Sequence, residues 1–578
     1  MDKNTLLAVG ISMAILLVWS ILFPPPEPEN VPAPEAVVET VEEVPSTVSQ
    51  NESPTPAVSS MAPVESGLPA REVLVVSDTL RILLNTQGGV VESAQLIQYD
   101  HTKPRLTLST WIPFLTPFLG PDYREVYTEG NRVEMLANSI PGVEALGVEF
   151  EDDSELTELF HNAAFAIRVN GQEVAPGTER VTFALGADES DLVIELQSAE
   201  VRGLQLVKTL TLAQESHKLA YRLQVINRSD TVKPLKVRQL FGEPRVKTGE
   251  LGAGPGHSGP IYFNDGLETE DTSSVQGGLR VPAFTWAGLE DHYFINAAAP
   301  QTPVKEAFFN GQSTAGAQVH PYYGVRLPLV EILPGKLIEA SFDWYMGPKD
   351  EAEMLKFGRG LEQSLNMTLE SLSVPLLALL RWIYGVVGNY GVAIIIMTII
   401  VRLVLFPLTY RGMKNMKRMQ QLAPRMKRIQ EKYKNNKEKL QQEMMGLYRK
   451  NKINPLGGCL PLLLQIPVFI ALYSALSSAV ELRHEPFALW LGDLSQPDGL
   501  GITPILMGIT LFIQQKMTPQ SAMMDPTQAK LMQMMPLIFA VFSFTFPSGL
   551  VLYWVTSNVL SMAQQQVINR IKTPEIQD

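Results

Sequence analysis

The sequence predicts an α+β membrane protein: six transmembrane helices, a large exported domain of antiparallel β-strands, and a basic helical hairpin in the cytoplasm. Three observations predict it. Apolar runs long enough to enter a bilayer lie in residues 1–23 and 373–570. Strand-like alternation fills residues 71–346. The segment Tyr410–Asn454 holds fourteen Lys/Arg against three Glu, a net of +11, which marks it as a loop kept on the cytoplasmic side. The formal charge of −13 over 578 residues therefore averages regions of opposite character, and the length exceeds a single domain. One cysteine, Cys459, excludes an internal disulfide framework and a Cys-rich metal site. The seven His show no metal-ligand spacing, and no nucleophile elbow or H-E-x-x-H occurs. Catalytic residues, metals and cofactors are not expected.

Taken in order, Leu6–Phe23 is an apolar stretch 18 residues long after Lys3, followed by "FPPPEPE" in place of a small-residue cleavage site. It reads as an uncleaved signal anchor. Residues 24–70 hold eleven Pro, eight Glu and no Lys or Arg, the composition of an extended, disordered tether. Within 71–346, "KLAYRLQVIN" alternates Leu219, Tyr221, Leu223 and Val225 with mainly polar neighbours, while "LVIELQ" and "LQLVKTLTL" are β-rich. Gly, Pro and Asn turns punctuate the region, so an antiparallel β-sandwich is expected. "GPGHSG" at 254–259 matches G-x-G-x-x-G formally, but flanking prolines and the lack of a following helix pattern make it a Gly-rich loop. Residues 347–372 are expected to form an amphipathic helix on the membrane surface. Its stripe is Met354, Phe357, Leu361, Leu365 and Leu372, begun by an Asp350-x-x-Glu353 cap.

The core, 373–570, offers apolar segments Val374–Thr409, Leu460–Val480, Ile502–Ile513, Leu531–Phe546 and Leu550–Ala563. With the N-terminal anchor they make six spans. The loop 481–500, with four acids and one Arg, falls outside; Lys516, Lys530, Arg570 and Lys572 fall inside, which puts both chain termini and the tail 571–578 in the cytoplasm. Several spans are short, which implies a thinned bilayer or shielding by protein. In the hairpin 410–454, Met413, Met416, Met419, Leu422, Met426, Ile429 and Tyr433 recur at helical spacing, "KNNK" breaks the pattern, and Leu440, Met444 and Leu447 resume it.

One residue conflicts with its surroundings. Arg402 sits within "GVAIIIMTIIVRLVLFPLTYRGMK", where a charge near the bilayer centre costs roughly 2.5–3.5 kcal/mol on insertion scales. The apolar stretches of the other spans contain no Asp or Glu, so an intramembrane ion pair is excluded. Snorkelling remains open, because Arg402 lies six residues before Leu408, about 9 Å along a helix. A hydrated cavity is the other reading. It is favoured by Thr398 one turn earlier, by Gln465, and by Thr510, Gln514, Ser543, Thr556, Ser557 and Asn558 in or beside other spans.

The stretches "IVRLVLFPLT", "NPLGGCLPLLLQIPVFIALY", "PFALWLGDLS", "PILMGITLFIQQKM" and "FPSGLVLYW" resemble the YidC family of membrane-protein insertases across about 350–570. The anchor and large exported domain resemble its Gram-negative members. That resemblance implies an inner-membrane protein with a periplasmic β-supersandwich, similar to sugar-binding mutarotases, and a five-helix insertase core with a hydrophilic groove open to cytoplasm and lipid. By the same resemblance Arg402, Thr398, Gln465, Tyr553 and Trp554 face the groove. Ile466, Phe469, Ile538 and Phe542 form an apolar slide for the client helix. Family members often carry Tyr where Trp554 stands, so no hydroxyl role is expected there. The implied partners are nascent membrane proteins, small one- and two-span ones such as ATP synthase subunit c among them, together with the Sec translocon, the ribosome and targeting factors, and the lipid bilayer. Two other classes fit parts of the chain. A secondary transporter should show internal repeats, which are absent, and a membrane-anchored periplasmic carbohydrate-active protein needs an acid/base pair that sequence cannot place.

Overall fold

Alternation in "KLAYRLQVIN" becomes a strand, Lys218–Asn227, with Leu219, Tyr221, Leu223 and Val225 all buried. It pairs antiparallel with Leu204–Ala213 on one side and Leu337–Pro348 on the other, at the centre of a ten-stranded sheet. The computed structural model describes residues 70–100, 132–136, 140–175, 180–186, 191–243, 257–313, 319–433, 436–451, 460–517 and 526–570. The expected anchor 1–23, nearly all of the tether 24–70, Cys459 and the tail 571–578 lie outside them, as do residues 254–256 of the Gly-rich loop.

Two five-stranded sheets and a two-stranded ribbon accompany the large sheet. The inward faces meet in one apolar core, where Phe241 packs on Tyr221, Tyr323, Phe342 and Trp344 with ring centroids 5.2–6.2 Å apart. Among the described residues pairing is antiparallel except between Glu72–Val76 and Val181–Ala184, a parallel pair not expected from the sequence. The short helix α1, Ser154–His161, is capped by the Asp153 side chain. Lys208 lies buried in the large sheet and donates to the carbonyls of Gly88 (2.8 Å) and Gly89 (3.0 Å); burial pushes its amine down to about 7.

The region 347–372 departs from the single amphipathic helix expected of it. Asp350 does cap a helix, α2, Glu351–Phe357, by accepting from the Glu353 backbone N–H. The chain then breaks at Gly358, Arg359 and Gly360, all at positive φ, and makes a 3-10 turn at Leu361–Leu365. Met354, Phe357 and Leu361 pack on Ile261, Trp286 and Tyr345 of the β domain. These three stripe residues are covered by protein, whereas Leu372, in the next helix, is exposed.

The segment expected as one span, Val374–Thr409, is two helices. α3, Glu370–Val387, ends at Gly388 (φ +66°), and α4, Tyr390–Lys432, begins with Asn389 as its cap. Thr368, before α3, donates its backbone N–H to Ser474 Oγ at 2.8 Å; Asn389, after it, donates from Nδ2 to Phe487 O at 3.0 Å. Both ends of α3 thus touch the same short stretch of the bundle.

α4 is a continuous 43-residue helix that carries the chain from the apolar region into the basic hairpin. It turns back as α5, Lys437–Lys450, and Leu422, Met426, Met444 and Tyr448 form a small closed core between them. The remaining helices are α6 (Leu460–Ser478), α7 (Ile502–Met517), α8 (Pro526–Ser543) and α9 (Ser548–Arg570). Among the described residues, two stretches are long and apolar enough to cross a membrane, Glu370–Val387 and Tyr390–Tyr410; Gln465–Ser478 and Gln533–Ser543 are shorter apolar helices.

The β domain joins the helices at one end. His292 donates from Nε2 to Ser477 O at 2.8 Å, and the Arg483 guanidinium lies over Phe294 at 5.4 Å. Arg381 on α3 reaches Asp350 (3.5 Å), Glu351 (3.0 Å) and Glu481. Burial pushes the Glu481 carboxyl upward even with Arg381 beside it.

Candidate functional site

Helical spacing puts Thr398 and Arg402 on one face of α4 and Tyr553 and Ser557 on one face of α9. These faces meet. Arg402 donates from Nε to Ser557 Oγ at 3.2 Å and from Nη2 to the same oxygen. One turn away, Gln465 of α6 donates to the Tyr553 hydroxyl. Asn558, beside Ser557, donates to Thr510 Oγ1 on α7 at 3.2 Å. A line of neutral polar groups therefore runs across α4, α6, α7 and α9, with one permanent cation in it.

A guanidinium offers five N–H donors. Two are used here, both on one hydroxyl, and among the described residues no carboxylate pairs with Arg402. A neutral serine fixes the orientation of the charge without cancelling it. Arg402 is half-buried, and its other donors make no hydrogen bond among the described residues. It lies twelve residues after Tyr390, the first residue of α4, about 18 Å along the helix. That depth is well inside the apolar zone.

Thr398 is buried and donates its hydroxyl to Ile394 O at 2.6 Å, so it satisfies its own helix. Trp554 turns away from the polar line. Its ring stacks on Phe469 of α6 (4.6 Å, 5°) and meets Phe539 of α8 and Phe546 edge-on at 6.0 and 5.7 Å. Of the expected slide, Phe469 is half-buried in this aromatic cluster, while Ile466, Ile538 and Phe542 are exposed. The structure thus brings Arg402 to Ser557 and Gln465 to Tyr553 on successive turns of α9, and groups Trp554 with the apolar residues. Ser557 was legible as a polar residue in a span, and its i−4 relation to Tyr553 was the available signal. Its pairing with Arg402, 155 residues away, carried no sequence signal. Phe539 of α8 and Phe546 just after it, which meet Trp554 edge-on, were also not singled out.

Helices apolar enough to cross a membrane, a lone guanidinium inside their bundle and a large β-sheet domain joined to them define the class: a membrane protein with a sheet domain beside its helices. Residues 382–575 match the family described as 60Kd inner membrane protein, and residues 151–371 match the YidC periplasmic domain. The chain is 34% identical to the membrane protein insertase YidC of Syntrophus aciditrophicus strain SB, over 99% of this chain and all of that one. It is 32% identical to that of Geotalea uraniireducens strain Rf4, over 99% of both. Similar solved structures include an active YidC insertase with its first transmembrane domain resolved (18% identity, 87% of this chain, 93% of that one, TM-score 0.35). A galactose mutarotase related enzyme from Lactobacillus acidophilus aligns to 48% of this chain and 97% of its own at 10% identity (TM-score 0.27). This chain belongs to the YidC family of membrane protein insertases, with a periplasmic β-rich domain ahead of its membrane part.

Proposed function

We propose that the polar line around Arg402 is the wall of a water-filled groove through which this insertase draws the hydrophilic part of a nascent membrane protein into the bilayer. The observation that carries the reading is a guanidinium held by the neutral Ser557 hydroxyl, with donors left over and, among the described residues, no carboxylate beside it. In a low-dielectric setting such a charge attracts acidic and polar segments strongly. The client's apolar segment leaves along Ile466, Phe469, Ile538 and Phe542, gaining roughly 25 cal/mol per Å² of apolar surface removed from water. The membrane potential assists acidic residues outward at about 2.3 kcal/mol per charge per 100 mV. No bond is made or broken, so the protein promotes insertion without covalent chemistry.

In this reading the six spans are the N-terminal anchor in 1–23 and α4, α6, α7, α8 and α9 as the five-helix core. The supports are the +11 hairpin on one side and the acidic 481–500 loop on the other. α3 lies along the periplasmic surface instead of crossing, because both its ends are tied near the periplasmic end of α6. It takes the interfacial role expected for 347–372. The termini are then cytoplasmic and the protein sits in a Gram-negative inner membrane. Clients include small proteins such as ATP synthase subunit c inserted without help, and larger ones shared with the Sec translocon. The Met-rich hairpin α4–α5 meets ribosomes or targeting factors.

Reconstitution of the full chain into liposomes with a small, Sec-independent client tests this directly. Insertion that scales with the protein is expected. Insertion no greater than in empty liposomes overturns the reading.

A further inference from the structure

The periplasmic loop after α6 carries a structure that the groove does not use. Phe487 donates its N–H to Leu491 O at 3.0 Å and Leu491 donates back to Ala488 O at 3.1 Å, which closes a tight turn with Leu489 at its apex. Leu489 is 93% exposed and stands at φ +57°, a left-handed conformation that glycine or asparagine adopts more readily. A loop meant only for water has no need to hold a leucine there. The turn is firmly footed. Leu491 and Leu494 are buried, and Phe487 packs so closely on Gly391, in the first turn of α4, that an added Cβ would lie 2.1 Å from its ring.

Two anchors set the depth of the apex. Asn389, the cap of α4, donates to Phe487 O, and Asp498 accepts from the backbone N–H of Thr503 in the first turn of α7 (2.8 Å). The apex is therefore bracketed by the entry points of two membrane helices. Trp490, next to Leu489, satisfies its indole N–H on Asp498 (3.1 Å) and leaves the rest of its ring half-exposed. An amphipathic ring at that level is the usual marker of the headgroup region. The same Asn389 bond places the end of α3, with Val386 and Trp382 exposed, beside the turn.

We propose that the Leu489–Trp490 turn is a lipid-seating wedge that inserts into the periplasmic-leaflet interface and fixes the depth of the bundle there. Its occupant is phospholipid, and its continuity with the membrane entry of α4 and α7 is the reason. The proposal rests on those two helices crossing the bilayer and is independent of what Arg402 does.

The test uses the full chain with Cys459→Ser and Leu489→Cys, labelled with an environment-sensitive NBD fluorophore and reconstituted into phosphatidylethanolamine/phosphatidylglycerol vesicles. Nitroxide quenchers sit either near the lipid glycerol or near the chain end. Blue-shifted emission, quenched more by the shallow nitroxide, is the expected result. Water-like emission with no quenching overturns the proposal. Blue-shifted emission that no lipid nitroxide quenches also overturns it, in favour of a protein partner or a second copy covering the turn. Two further labels complete the test. Asp230→Cys, exposed on the β domain, should stay water-like; if it is quenched as Leu489→Cys is, the quenching is nonspecific and the wedge is rejected. Leu403→Cys, exposed in the middle of the apolar stretch Tyr390–Tyr410 of α4, should prefer the deep nitroxide; a water-like signal there rejects the span itself and the wedge with it.

Discussion

Replacing Ser557 by Asp leaves Arg402 in place and removes its availability. The serine oxygen is 3.2 Å from Nε, so a carboxylate on the same backbone position reaches the guanidinium at about 4 Å or less. At an effective dielectric constant near 20 the attraction is about 4 kcal/mol, which an incoming carboxylate forfeits once the charge is paired, a factor of up to roughly a thousand in capture. Assayed in liposomes with a Sec-independent client, Ser557→Asp should reduce insertion of a version with an acidic translocated segment at least tenfold. A neutral version should change much less. Ser557→Ala is the complement: it keeps the charge free, so insertion of the acidic client should persist. Its cost falls on stability instead, about 1.5–3 kcal/mol for a lost hydrogen bond to a charged group, read as a lower melting temperature in detergent. Undiminished insertion of the acidic client by a folded Ser557→Asp protein refutes the claim that an uncompensated charge is what the groove uses.

Three further outcomes are expected. Trp554→Ala removes the ring stacked on Phe469 and should destabilise the bundle by about 3–5 kcal/mol, with Trp554→Phe restoring most of the loss in a thermal melt. Lys208 holds its proton in the unfolded chain up to its ordinary 10.5 and releases it near about 7 when folded, so the unfolded state binds more protons between those values. The urea midpoint of the excised β domain should therefore rise with pH across that window, and Lys208→Met should flatten the rise. Gly391→Val drives a side chain into Phe487 and should speed hydrogen exchange at 487–491 while leaving the β domain protected.

Much of this architecture was legible because burial and charge leave periodic traces. Alternation marked Lys218–Asn227, and a net of +11 marked the hairpin, whose Met stripe closes on itself through Met426 and Met444. Periodicity does not name its partner, however. Met354, Phe357 and Leu361 kept the spacing of a membrane-surface helix, yet their cover is β-sheet. The α3–α4 break was missed because hydropathy does not fall across "VVGNYG", although Gly388 and Asn389 are a helix stop followed by a cap. Arg402 announced itself by its cost, whereas its serine partner and the split between polar and aromatic faces of α9 exist only after helices far apart in sequence pack together.

The charge itself is the central claim, and a series at Arg402 tests it most directly. Ala, Lys and Glu variants would be measured with paired acidic and neutral clients that need no Sec channel. Arg402→Lys should retain much of the activity, since the charge persists while the fork geometry is lost. Arg402→Ala should impair the acidic client more than the neutral one, and Arg402→Glu should widen that gap. Equal losses for the two clients across the series would contradict electrostatic capture, even with the residue essential, and would leave hydration or helix packing as its role.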